Sequence, residues 1–150
     1  MTSNKEYGKD AVKIKELETK AEKGDLDCFY ELGKYYFSLL LPNNDKAVEY
    51  WEKGAEKGHA GCISFLANYY TSYYVDDEKA FMYWGKYAQK GYEEGIFRLG
   101  IAYYKGVGVA QNYEKALEYF EKLKPEYIKQ PLKDIIVEIK EKLKGKENGK

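Results

Sequence analysis

The chain has 150 residues, enough for one domain that buries about two thirds of its unfolded surface, so a core can form without disulfide or metal staples. Basic and acidic residues each total 25, so no net charge draws the chain to nucleic acid or to an anionic membrane. Arg98, the sole arginine, leaves little of the bidentate phosphate recognition that nucleic-acid binders use, and two cysteines are too few for a disulfide framework.

In chain order, residues 1–7 lack the apolar run of a secretory signal, and no later stretch approaches the length of a membrane span. A soluble, cytoplasmic protein is expected. A predicted helix over about 10–23 ends in Ala21-Glu22-Lys23-Gly24, a run that returns as Ala55-Glu56-Lys57-Gly58. It therefore reads as the second helix of a repeat standing alone as an N-terminal cap.

Three units follow, over about 25–58, 59–91 and 92–124. Leu32-Gly33-Lys34-Tyr35-Tyr36 recurs as Leu66-Ala67-Asn68-Tyr69-Tyr70 and as Leu99-Gly100-Ile101-Ala102-Tyr103, at steps of 34 and 33 residues. After each copy comes a second motif, Lys46-Ala47-Val48-Glu49-Tyr50-Trp51, then Lys79-Ala80-Phe81-Met82-Tyr83-Trp84, then Lys115-Ala116-Leu117-Glu118-Tyr119-Phe120. Apolar residues three and four apart make both motifs amphipathic helices. Gly24, Gly58 and Gly91 follow Lys23, Lys57 and Lys90, as expected just past a helix C-terminus. Gly33, Ala67 and Gly100 fall in mid-helix, where a small residue implies close approach of the helix carrying the Trp or Phe. Pro125 and Pro131 bracket a bend before a last helix over about 131–144, whose Leu132, Ile135, Ile136, Ile139 and Leu143 suit it to seal the open end. Residues 145–150 are expected to form a disordered tail. The expected fold is all-α, an α-solenoid of stacked antiparallel helix-turn-helix repeats with a cap at each end, forming one domain over 1–144.

The motif order Leu-Gly-x-x-Tyr, Gly-x-Gly-Val, Lys-Ala-x-x-Tyr-Trp and Ala-Glu-Lys-Gly-His-Ala resembles the Sel1-like repeat (SLR) family, relatives of tetratricopeptide repeats. Its sharpest pieces are Lys105-Gly106-Val107-Gly108-Val109 and Ala55-Glu56-Lys57-Gly58-His59-Ala60, and the resemblance runs from about residue 10 to 124. It implies stacked helix pairs with a concave face lined by first helices, and an adaptor or scaffold role. The first two units depart from the family loop, with Ser38-Leu39-Leu40-Leu41-Pro42-Asn43 and Ser72-Tyr73-Tyr74-Val75-Asp76 in its place.

No catalytic set emerges, and neither a metal nor a cofactor is expected. Gly106 and Gly108 read as an inter-helix turn, since no strand precedes them and no Gly-Lys-Ser/Thr follows. His59, the only histidine, stands three residues from Cys62, but the repeat register puts it in a turn and Cys62 in a packing slot. Cys28 and Cys62 are equivalent positions one repeat apart, about 10 Å, so free thiols are expected. Asp76-Asp77-Glu78 and Glu93-Glu94 sit where carboxylates cap helix N-termini.

One strip remains as a candidate surface: Tyr30, Lys34 and Phe37, then Ser64, Asn68 and Thr71, then Phe97, Ile101 and Tyr104, on the free face of the first helices. Tyrosine combines contact area with few rotatable bonds and a polar tip, so with 17 tyrosines in the chain this strip reads as a docking surface. Lys34, Asn68 and Lys105 would supply polar contacts, and Tyr104 would be an anchor whose loss leaves the fold intact. The expected function is a monomeric protein-interaction module that binds a peptide or folded partner. The alternative is a stoichiometric inhibitor or immunity protein for an enzyme or toxin.

Overall fold

A computed structural model of the chain describes residues 3–39 and 42–147. Among these residues the structure is helical throughout, with no strand: α1 (Ser3–Glu22), α2 (Asp27–Phe37), α3 (Asn44–Glu56), α4 (Ala60–Ser72), α5 (Asp77–Gln89), α6 (Glu93–Lys105), α7 (Tyr113–Glu121), a short 3-10 turn at Pro125–Tyr127, and α8 (Leu132–Glu147). Helices pack on their chain neighbours, α1 on α2, α2 on α3, α5 on α6, α6 on α7 and α7 on α8. The contacts divide the chain into two compact units, Met1–Leu66 and Ala67–Lys150, with the boundary inside α4. The sequence reading expected one domain; an array in which each element touches mainly its chain neighbours divides readily in this way.

Helix starts and stops follow the sequence. Asn43, Asp76 and Asn112 each accept the backbone N–H three residues on, from Lys46, Lys79 and Lys115, at 3.0, 3.0 and 2.8 Å. Each second helix of a repeat thus begins at an Asx cap, a device worth about 1 kcal/mol. Gly24, Gly58 and Gly91 take φ of 101°, 85° and 84°, the left-handed conformation that ends α1, α3 and α5.

Within the first unit, α2 buries Cys28, Phe29, Leu32, Gly33 and Tyr36, and α3 answers with Ala47, Tyr50, Trp51, Gly54 and Ala55. Gly33 is where the two helices meet, because a Cβ there would overlap the Trp51 indole. The second unit repeats the device at Gly100, where a Cβ would overlap the Phe120 ring. Trp51 and Phe120 are wholly buried, and truncating either to Ala would cost about 3–5 kcal/mol.

Two boundaries differ from the sequence reading. α1 begins at Ser3 instead of near residue 10, and α8 continues through Glu147, so residues 145–147 of the expected tail are helical. The Lys- and Glu-rich flanks are good helix formers, and an isolated Gly8 or Gly145 costs only about 1 kcal/mol in a helix. Residues 148–150 of that tail, and Leu40 and Leu41 of the expected hydrophobic loop, lie outside the described residues. α8 buries Leu132 and Ile139 against Ala116, Phe120 and Leu123, with Ile135, Ile136 and Leu143 packed around them.

Candidate functional site

In the first unit a groove of about 530 Å³ opens beside α2. Lys13, Ile14 and Leu17 of α1 form one wall, Glu31, Lys34, Tyr35, Phe37 and Ser38 of α2 the other, and Phe65 closes it. Of the strip residues expected here, Lys34 and Phe37 line the groove. The Lys34 ammonium is 2.7 Å from Glu31 and 4.7 Å over the Tyr30 ring. Phe37 packs against Trp51 and Phe65, with ring centres 5.6 and 6.1 Å away. Tyr30 is half-buried, edge-on to Phe65 at 5.8 Å, and Ser64 donates to Gly61 O at 3.0 Å within its own helix. The α1 wall has no counterpart in the sequence expectation, where the repeat pattern marks the first helix only as a cap.

The second unit has a smaller pocket of about 210 Å³ between α5 and α6, which includes two of the expected residues, Thr71 and Ile101. Thr71 has a second role: its hydroxyl donates to Ala67 O at 2.7 Å and accepts the Trp84 indole N–H at 3.1 Å, fixing the ring that forms the pocket wall. Asn68 is exposed.

Phe97 and Tyr104 were expected on a free face; both are half-buried. Phe97 packs 6.5 Å from Phe120, and the Tyr104 ring lies 6.1 Å from Tyr113 while its hydroxyl donates to Glu138 at 2.7 Å. Phe97 thus packs on α7 and Tyr104 meets α8, both beside the cluster that α7 and α8 share. The hydrogen bond from Tyr104 to Glu138 holds the phenol pKa up, and burial adds to it.

Most of the tyrosine excess has a structural home. In each repeat a first-helix tyrosine stacks on a second-helix tyrosine: Tyr36 on Tyr50, Tyr70 on Tyr83 and Tyr103 on Tyr119, with ring centres 5.6, 5.8 and 5.6 Å apart. Lys46 and Lys53 cover the first pair, Lys79 and Lys86 the second, and Lys115 and Lys122 the third, at 4.5 to 5.3 Å. Each lysine pair thus adds cation–π contacts that span a helix pair. The signal was present in the sequence as Lys-x-x-x-Tyr-x-x-Lys, one lysine on each side of the tyrosine along one helix face.

His59 does approach Cys62. Its Nδ1 lies 3.2 Å from Cys62 Sγ and accepts the Cys62 backbone N–H at 3.1 Å, while Nε2 is 2.8 Å from Asp27 Oδ1. The sulfur is wholly buried, and burial, with a smaller contribution from the Asp27 charge, pushes the thiol up to about 12. A thiol so buried and so weakly acidic makes no nucleophile. The imidazole instead caps α4 and ties it to the first turn of α2. Among the described residues no group of three or more His, Cys, Asp or Glu side chains could hold a metal, and no helix is long and apolar enough to cross a membrane.

The family model described as Sel1 repeat matches residues 29–59, 65–92 and 93–123. Among solved structures, a Sel1 repeat protein from Oxalobacter formigenes is 25% identical with a TM-score of 0.66, covering 84% of this chain and 98% of its own. Cysteine-rich protein B of Helicobacter pylori is 29% identical with a TM-score of 0.51, covering 73% of this chain and 86% of its own. A protective antigen of uropathogenic Escherichia coli with an SLR fold is 27% identical with a TM-score of 0.60 over 73% of this chain, which spans about a quarter (24%) of that protein. No curated protein matches the chain.

Proposed function

The chain belongs to the Sel1 repeat family, and on that premise we propose that it is a protein-interaction module that binds peptide segments of a partner in the grooves beside α2 and between α5 and α6. The observation that carries this reading is the chemistry of the two grooves. Both combine apolar and aromatic walls with a few charged groups at the rim, the mix that fixes a partner segment by shape and orients it by charge. Lys34 and Phe37 serve the first groove, Thr71 and Ile101 the second, and Tyr30, Ser64 and Asn68 lie on the flanking helices. Phe97 packs on Phe120 of α7, and Tyr104 bonds Glu138 of the C-terminal helix. The role is binding without catalysis: the one histidine and the cysteine beside it form a helix cap. Cytoplasmic residence fits two buried, unpaired thiols, Cys28 and Cys62.

The test is affinity capture from native lysate with wild type, with Lys34→Glu plus Ser38→Lys in the first groove, and with Val107→Tyr at the rim of the second. All three sites are at least partly exposed, so the variants should melt with wild type. A partner retained by wild type and lost from at least one variant supports the reading. Equal retention by all three moves the interaction elsewhere.

A further inference from the structure

The groove beside α2 is built like the seat that the chain makes for its own first helices. α1 has the register of a second helix: Leu17 stands 34 residues before Trp51, as Ala21 does before Ala55. The second helices α3, α5 and α7 each follow a first helix, whereas no first helix precedes α1 among the described residues. The first unit shows how such a helix is held. α2 rests with Gly33 on the Trp51 indole, and its Tyr30 and Phe37 meet Phe65 of α4 at 5.8 and 6.1 Å. One repeat earlier, the equivalents of Trp51 and Phe65 are Leu17 and Glu31, and both line the groove. Ile14, Leu17, Tyr35 and Phe37 are half-buried while Lys13, Glu31 and Ser38 are exposed, so an apolar floor lies within a polar rim.

Such a groove favours a helix over an extended segment. Both walls are helices, so no strand edge offers backbone partners, and an extended chain would set unpaired N–H and C=O groups against apolar side chains. A helix satisfies its backbone internally and presents side chains alone. Along α2 the wall runs from Glu31 to Ser38, about 10 Å of helix axis, which is the span of positions i, i+3 or i+4, and i+7 on a docked helix. Leu17 is smaller than Trp51, so the facing position has room for alanine or more where α2 needs glycine. We propose that the groove beside α2 takes an amphipathic helix of a partner protein, seated against α1 as α2 is seated against α3. Its apolar stripe lies on Ile14, Leu17 and Phe37, and its polar edges meet Lys13 and the Glu31–Lys34 pair. The inference rests on the reading that this groove binds a partner segment, and it supplies the conformation and pattern of that segment.

The probe is a blocked peptide of residues 93–105, the α6 sequence, made with Gly100→Ala and, as its counterpart, with Gly100→Pro. α6 is a first helix without cysteine; alanine at its centre favours the helix and proline breaks it, while every other side chain is kept. Each peptide would be titrated into the full chain carrying carbon-13 methyl labels, with the Ile14 and Leu17 signals followed. The expected result is saturable movement of both signals with the alanine peptide and affinity at least about tenfold weaker for the proline peptide. The Lys34→Glu/Ser38→Lys variant should bind the alanine peptide severalfold more weakly. Unmoved Ile14 and Leu17 signals, or equal binding of both peptides, overturn the proposal. So does a dimer of the chain alone in sedimentation that this variant dissociates, since a second copy would then fill the groove. A lysate partner lost with the variant, beside equal binding of the two peptides, overturns the helix while leaving the docking groove in place.

Discussion

Placing a methyl group at Gly33 tests the packing more sharply than any truncation, because two opposed effects compete and the structure decides the sign. Replacing a mid-helix glycine with alanine favours the helix by about 1 kcal/mol. At Gly33 the new Cβ would overlap three atoms of the Trp51 indole, and that ring is wholly buried with nowhere to retreat. Overpacking of this kind costs about 1–3 kcal/mol. Gly33→Ala should therefore destabilise the protein by up to about 2 kcal/mol, which for a chain of this size lowers Tm by up to roughly 8 °C. Gly85 supplies the control: it lies within α5 and no neighbouring atom falls within 4 Å of its would-be Cβ. Gly85→Ala should stabilise by up to about 1 kcal/mol. Both are read from urea midpoints followed by circular dichroism at 222 nm. Adding Trp51→Leu to Gly33→Ala should cost less than the sum of the two single changes, since the smaller side chain vacates the site the methyl needs. Shifts of the same sign and size at Gly33 and Gly85 would refute the proposed seating of Trp51 on Gly33.

Thr71→Val leaves the Trp84 indole N–H without its acceptor at 3.1 Å, so urea denaturation should show a loss of about 1–3 kcal/mol. Tyr104→Phe removes the hydrogen bond to Glu138 and should cost about 0.5–1.5 kcal/mol in the same assay, whereas a free surface anchor would cost nothing. Stability should fall with acid. Glu16, Glu49, Glu118 and Glu138 are held below the usual carboxylate range, each by hydrogen bonding to the lysine four residues on, with Tyr104 helping at Glu138. Because their folded pKa values lie below the unfolded ones, they stabilise above the unfolded pKa, and this contribution disappears as the pH drops through the folded values. Urea midpoints should therefore decline from about pH 5 to about pH 3, and Glu138→Gln should flatten part of that decline. Cys28 and Cys62, both buried and the latter with its thiol pushed up to about 12, should resist a maleimide at pH 7.5 in the folded protein and react after unfolding in urea.

The repeat was legible because it is periodic: Leu32, Leu66 and Leu99 recur one repeat apart, and each proves buried. The partners of the small residues were legible for the same reason, since Gly33 and Gly100 each stand opposite the bulky aromatic of the following helix. The candidate surface was less legible. Its residues were chosen as the positions left over from the core stripe of the first helices, a rule that assumes nothing else covers them. α7 meets Phe97 and α8 meets Tyr104, and only tertiary packing reveals which face Ile135, Ile136 and Leu143 of α8 cover. The rule also overlooked neighbouring helices as groove walls, so Ile14 and Leu17 of α1 and Phe81 and Trp84 of α5 went unnoticed.

Backbone amide hydrogen exchange of the free and partner-bound protein tests whether partners dock in the grooves beside α2 and between α5 and α6. Slowed exchange on partner binding should concentrate in the C-terminal turns of α2 and α6 and in the loop around Val107, leaving the second-helix faces that carry Lys46, Lys53, Lys115 and Lys122 unchanged. Protection confined to those lysine-covered faces, with α2 and α6 exchanging as in the free protein, would place docking on the second helices instead.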